Sequence, residues 1–200
     1  MLSLNSFIEK MSQSTLVESN KFKEKEHEKQ FANKLEESGY KEIKSKSDLG
    51  IEITSQDSLT FVPQYCGKFL FIDQPFGSQR TPDFIVVIGG WVLYVELKRN
   101  KGKAITWNTG YPRNNYLYIY DSGKLGRILF FGNHHPEYGG MDEDYLSHLA
   151  EWKKMSKKMW DKTPFKFYPR QMLNDQGEYD KEDLYIKALD KVNKAIKIEL

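Results

Sequence analysis

A chain of 200 residues that is 39% hydrophobic and 14% aromatic can bury the core of one folded domain and is too apolar to be a disordered polymer. Its net charge of +2 and pI near 8.4 do not mark a bulk polyanion binder, so any affinity for nucleic acid must come from local clustering. No apolar run approaches the roughly 18 residues of a membrane span, and no secretory signal opens the chain. A single cysteine, Cys66, excludes an intramolecular disulfide and a cysteine-based zinc cluster; it reads as a small buried residue. The expectation is an intracellular, cytoplasmic protein with no membrane partner.

Residues 1–19 are Ser-rich and read as a loose leader or a short helix. Residues 21–38 read as a helix, with Ser19 or Asn20 as N-cap, Gly39 at C′, and an apolar stripe of Phe22, Phe31 and Leu35 beside Ala32. Glu28, three residues before Phe31 and seven before Leu35, falls on or near that stripe, whereas most helix glutamates are simply solvated. A polar connector covers 41–50, and short strands are expected at 51–55, 60–63 and 68–73. Residues 74–81 are turn-rich, with Pro75, Gly77 and Ser78; Ser78, Gln79 and Arg80 carry donors suited to phosphate or base edges.

Residues 82–98 organise the rest. Two apolar runs of strand length meet at Gly89-Gly90, and adjacent glycines can both take the positive φ of a two-residue type I′ turn. That turn sets Ile88 opposite Trp91. Following the ladder outward, it sets Asp83 opposite Glu96, with Lys98 on the same face. Opposed carboxylates repel, so the arrangement calls for a divalent cation between them. Mg²⁺ suits such a place, because it accepts one or two carboxylates and completes its shell with waters and phosphate oxygens. Lys98 beside it can orient a water or stabilise charge developing on a phosphate. A merely amphipathic hairpin with a charged end is the plainer alternative, but both runs are apolar on both faces until Glu96 and Lys98 interrupt them.

Arg99, Lys101 and Lys103 form a basic run directly after this hairpin; such a run is usually a solvated loop, but its place beside the opposed carboxylates suits contact with a phosphate backbone. Asn108 and Arg113 lie in a second turn-rich segment and carry groups able to hydrogen-bond a nucleic acid, with Trp107 and Tyr111 serving either stacking or the core. Strands are expected at 116–120 and 127–131, with a turn at 121–123. The pair His134-His135 reads as a surface loop, since neighbouring histidines do not chelate one ion without a third ligand. An amphipathic helix covers 142–162, its apolar side including Trp152, Met155 and Met159, and Lys153, Lys154, Lys157 and Lys158 opposite. An edge strand at 165–168 and a helix at 181–196 complete one domain, 1–200. The class is α/β: a central mixed sheet containing the hairpin, the N-terminal helix on one side and the later helices on the other.

Pro82-Asp83 opening one strand and Glu96-Leu97-Lys98 closing the next resemble the PD-(D/E)XK nuclease superfamily. The flanks 74–79 and 107–112 look like those of type II restriction endonucleases. The resemblance implies a restriction-endonuclease-like fold and Mg²⁺-dependent hydrolysis of double-stranded DNA at a specific sequence, leaving 5′-phosphate ends. Asp83 and Glu96 would bind the metal, with the Leu97 carbonyl adding a ligand. Lys98 would assist the attacking water, and Glu28 would reach the catalytic face. Enzymes of this type commonly act as homodimers on symmetric sites. A structure-specific repair or recombination nuclease of the same superfamily and a non-catalytic DNA-binding module are the rival readings.

Overall fold

The computed structural model describes residues 3–13, 24–49, 58–77, 80–107, 111–136, 143–164 and 173–199. Among them are four helices: α1 (Leu4–Gln13), α2 (Glu24–Glu37), α3 (Glu143–Trp160) and α4 (Lys181–Glu199). Nine strands accompany them. They are β1 (Lys41–Glu42), β2 (Thr60–Phe61), β3 (Phe69–Asp73), β4 (Phe84–Ile88), β5 (Trp91–Asn100), β6 (Thr106–Trp107), β7 (Leu117–Ser122), β8 (Gly126–Phe131) and β9 (Leu173–Asn174). The expected strands at 51–55 and 165–168 lie outside the described residues.

The hairpin forms as its glycines dictate. Gly89 and Gly90 take φ of +59° and +112°, and Ile88 faces Trp91 while Phe84 faces Val95. A Cβ on Gly90 would also meet the Phe61 ring at 2.5 Å, so this position needs glycine for space as well as conformation. Around the hairpin grows a mixed seven-stranded sheet in the order β1-β3-β4-β5-β7-β8, with β2 on the start of β5. β3, β4 and β5 are antiparallel neighbours, whereas β5 and β7 run parallel from Val95–Leu117 to Asn100–Ser122. β6 and β9 form a separate two-stranded ribbon.

The sheet's two faces differ in chemistry. One carries Phe84, Val86, Ile88, Leu93, Val95, Leu97, Leu117 and Ile119, and it is covered by Phe7 and Ile8 of α1, Phe31 and Leu35 of α2, and Ala188 and Val192 of α4. The other carries Ile85, Val87, Tyr94, Tyr116, Tyr118 and Tyr120 and is closed by Tyr65, Ile105 and Trp107. This corrects the expectation of helices split across the sheet: α1, α2 and most of α4 share one face, while Leu184 near the start of α4 joins the opposite cluster. The tyrosine face is capped by loops whose carbonyls accept phenolic protons, as where Tyr65 OH donates to Leu49 O and Tyr120 OH to Lys103 O. α3 also departs from expectation, for its Trp152, Met155, Met159 and Trp160 point outward, each at least 38% exposed.

A buried ionic clamp ties α2 to the sheet. His27 Nε2 lies 2.7 Å from Asp121 Oδ2, and Arg127 grips the same carboxylate with Nε at 2.7 Å and Nη2 at 2.6 Å. Arg127 Nη1 also donates to Met11 O at the end of α1. Burial works to raise the Asp121 pKa, but the hydrogen bonds and charges of His27 and Arg127 outweigh it and hold the carboxyl below its usual range. Cys66 is exposed rather than buried, because it follows the 3-10 turn Pro63–Tyr65 whose inward position Tyr65 takes.

Candidate active site

Asp83 precedes β4, and Glu96 and Lys98 lie near the end of β5, on the tyrosine face rather than under the helices. The hairpin register brings the carboxylates together: Leu97 N donates to Asp83 Oδ2 at 2.8 Å, and Lys98 Nζ donates to Glu96 Oε1 at 2.8 Å. The Glu96 and Lys98 side chains are only 5% and 11% exposed. Tyr118 and Tyr120 of β7 stand next to them in register, and the Lys98 ammonium sits 5.8 Å from the centre of the Trp107 ring, within cation–π range.

The two carboxyl groups are incompletely paired. Glu96 Oε2 is buried and has no hydrogen-bond partner among the described residues. Burial first, and then the Glu96 charge, push the Asp83 carboxyl up to about 8, against the opposing pull of the Leu97 N–H and Lys98. A cation would satisfy both features, so the donor set fits Mg²⁺. Among the described residues no group of three or more His, Cys, Asp or Glu converges on one point. An ion held by Asp83 and Glu96 would therefore need its remaining ligands from the Leu97 carbonyl, waters or substrate oxygens, which is ordinary for Mg²⁺.

Glu28 sits outside this pair. Its Oε2 accepts from Gln74 Nε2 at 2.9 Å, while the Gln74 N–H donates to the Asp83 carbonyl at 2.7 Å. Gln74 thus couples Glu28 to the backbone that leads into β4, and the Glu28 charge also works to raise the Asp83 pKa. Glu28 also lines a cavity of about 480 Å³ with Glu36, Glu42 and Asp73. There burial, then Glu28 and Glu42, raise the Asp73 pKa.

Of the other sequence candidates, Ser78, Gln79 and Asn108 lie outside the described residues. Arg80, Lys101 and Lys103 are exposed. Arg99 alternates with Lys98, so it is on the helix-covered face opposite Asp121 in register, not on the face of Glu96 and Lys98. Arg113 does reach the site. Its guanidinium lies 5.3 Å over the Tyr116 ring and donates to Tyr116 OH at 3.1 Å, while its N–H donates to Tyr118 OH at 2.9 Å. Burial, and then the Glu96 charge, drive the Tyr118 phenol well above its usual range. Tyr116 and Tyr118 were legible only as alternating strand residues; nothing in the local sequence marks them as neighbours of Glu96.

His135 is a second correction. It is buried, its Nε2 lying 3.2 Å from Asp175 Oδ2 and 3.1 Å from Tyr179 OH, with its ring edge-on to Trp107. Asp175 also accepts from Ile105 N at 2.9 Å and Trp107 Nε1 at 3.2 Å, so this hub holds the indole that backs Lys98. Sequence spacing hid it, because Asp175 arrives from 40 residues away.

No protein-family profile matches the chain, and no curated protein or solved structure matches it. Function is therefore inferred from the chemistry of the site itself. Among the described residues no helix is long and apolar enough to cross a membrane.

Proposed function

We propose that this chain is a Mg²⁺-dependent endonuclease of the PD-(D/E)XK type, with a restriction-endonuclease-like fold, that hydrolyses double-stranded DNA at a specific sequence. The observation that carries the reading is the set of buried Glu96 with half-buried Asp83 and Lys98 at the end of one hairpin, with Glu96 Oε2 lacking a partner among the described residues and the Asp83 pKa raised. A structural hairpin gains nothing from such a pair.

Asp83, Glu96 and the Leu97 carbonyl would hold the ion, which when bound lowers the pKa of water and neutralises charge on phosphate. Lys98, fixed by Glu96 Oε1 and the Trp107 ring, orients the attacking water and faces the charge that develops on the phosphorus oxygens. Arg113, held by Tyr116, presents a guanidinium to a neighbouring phosphate. Glu28 steadies the Asp83 strand through Gln74. The place of Arg99 on the opposite face removes it from the DNA-contacting set, leaving Arg80, Lys101, Lys103 and Arg113, all exposed, as its basic members.

The test is digestion of plasmid and phage DNA by wild type and Lys98→Ala, with Mg²⁺ and with EDTA. Discrete fragments from wild type are expected, lost with EDTA and slowed on the order of 10²–10³-fold by the substitution. DNA left intact by wild type under every condition would overturn the reading for ordinary duplexes. Cutting confined to junctions or mismatches would assign the chain to repair instead.

A further inference from the structure

Helix α3 stands apart from the rest of the fold. Among the described residues none of its side chains joins either core cluster, whereas α1, α2 and α4 each lend side chains to the core. From Ala150 to Trp160 every residue is exposed except Ser156, which is half-buried. The exposed set includes Trp152, Met155, Met159 and Trp160, at i, i+3, i+7 and i+8, so all four fall on one side of the helix. A helix of 18 residues draws most of its stability from packing such a side, and water gives this one nothing to pack on. Tryptophan and methionine are also side chains that concentrate in the dry centres of protein interfaces.

The order of charge along α3 says what covers it. Its first nine residues, 143–151, hold Glu143, Asp144 and Glu151 and no lysine or arginine. Its last nine, 152–160, hold Lys153, Lys154, Lys157 and Lys158 and no carboxylate. The helix dipole favours such an order only within the end turns. Here the order holds to the midpoint, where Glu151 gives way to Lys153. Turned end for end, the helix is therefore its own electrostatic complement. The acidic half of one copy lies along the basic half of the other on both sides of a twofold axis, with the apolar stripes between them. A parallel pair would set acid against acid and base against base. A nucleic acid or an anionic membrane would be drawn to the lysines but repelled by the acidic half.

We propose that α3 is a self-association element through which two copies of this chain pair antiparallel about a twofold axis, burying Trp152, Met155 and Met159 between them. Nothing in this pairing depends on the nuclease reading, and loss of either leaves the other standing.

Sedimentation velocity of the full chain over a range of concentrations tests it. Wild type should move from monomer to twice that mass as concentration rises. Trp152→Asp with Met159→Asp should weaken dimerisation at least about 100-fold, because anchors of this kind carry the largest truncation costs at an interface. At a dilution where wild type is monomeric the two should melt alike, since both side chains are exposed in the single chain. Charge tests the orientation. Lys153→Glu, Lys154→Glu, Lys157→Glu and Lys158→Glu together make α3 acidic throughout, and Glu143→Lys, Asp144→Lys and Glu151→Lys together make it basic throughout. Each of these variants should be monomeric alone, and mixing them should restore a dimer of one of each, which also shows that both are folded. A wild type that stays monomeric at every concentration, or charge variants that self-associate as wild type does, would overturn the proposal. Binding of monomeric wild type to anionic vesicles or duplex DNA, lost in Trp152→Asp, would overturn it too and assign the face to that partner.

Discussion

Asp83 shows how one residue can make a site depend on pH. Its pKa rises from an ordinary 3.8 to about 8 in the folded chain, by burial and by the Glu96 charge. Between those values the folded, metal-free protein keeps a proton that the unfolded chain has lost. Its stabilising contribution is therefore complete below about 4 and disappears as pH rises through about 8. A cation bound as proposed would have to displace that proton. Mg²⁺ affinity should rise about tenfold per pH unit between pH 6 and 8, then level off. Calorimetric titration at several pH values checks this, and Asp83→Asn should weaken binding and flatten the dependence. An affinity that ignores pH in wild type would show that the ion does not use Asp83.

At the scale of elements, two junctions decide whether the hairpin is held where chemistry needs it. The clamp His27–Asp121–Arg127 fastens α2 to β7 and β8. Asp121→Ala leaves the Arg127 guanidinium, 2% exposed, without its carboxylate, and should cost about 3–5 kcal/mol of stability in urea unfolding. Amide exchange of α2, which carries Glu28, should quicken more than that of β4. The second junction is Gly132. A Cβ there would stand 2.1 Å from Arg113 O, a backbone atom that cannot swing aside. Gly132→Ala should cost about 1–3 kcal/mol by overpacking and displace Arg113 from Tyr116, weakening DNA binding along with stability. Wild-type melting and wild-type DNA affinity in that variant would show that the turn yields easily.

Across the whole molecule, buried carboxyls pull stability in opposite directions. Burial works to raise the pKa values of Asp121 and Asp175, but their hydrogen-bond partners win and hold both low. Groups with depressed folded pKa values stabilise above the ordinary carboxylate range, and that stability is lost as pH falls through it. Asp83 acts in reverse and withdraws stability toward pH 8. The metal-free protein should therefore be most stable in mildly acidic solution, with urea midpoints falling on both sides. Mg²⁺ should raise the alkaline limb and leave the acid limb alone. A metal-insensitive alkaline limb would place the loss elsewhere than at Asp83.

What the sequence determined by itself is local. A Gly-Gly pair admits one tight turn and the strand period of two does the rest, so the register from Ile88–Trp91 to Phe84–Val95 is legible from spacing alone. The face shared by Asp83, Glu96 and Lys98 follows from the same arithmetic, as do the central strands and the helices near 24–37 and 181–199. What only the tertiary structure decided joins residues far apart in the chain. Asp175 reaches His135, Asp121 meets His27, Gln74 bridges Glu28 to the backbone of Asp83, and Arg113 folds over Tyr116. Such contacts leave no periodic trace, because they depend on how elements pack rather than on spacing within one. The outward stripe of α3, the shared face of α1, α2 and α4, and exposed Cys66 have the same origin. Amphipathicity says that a helix has an apolar side, and only packing says what, if anything, that side meets.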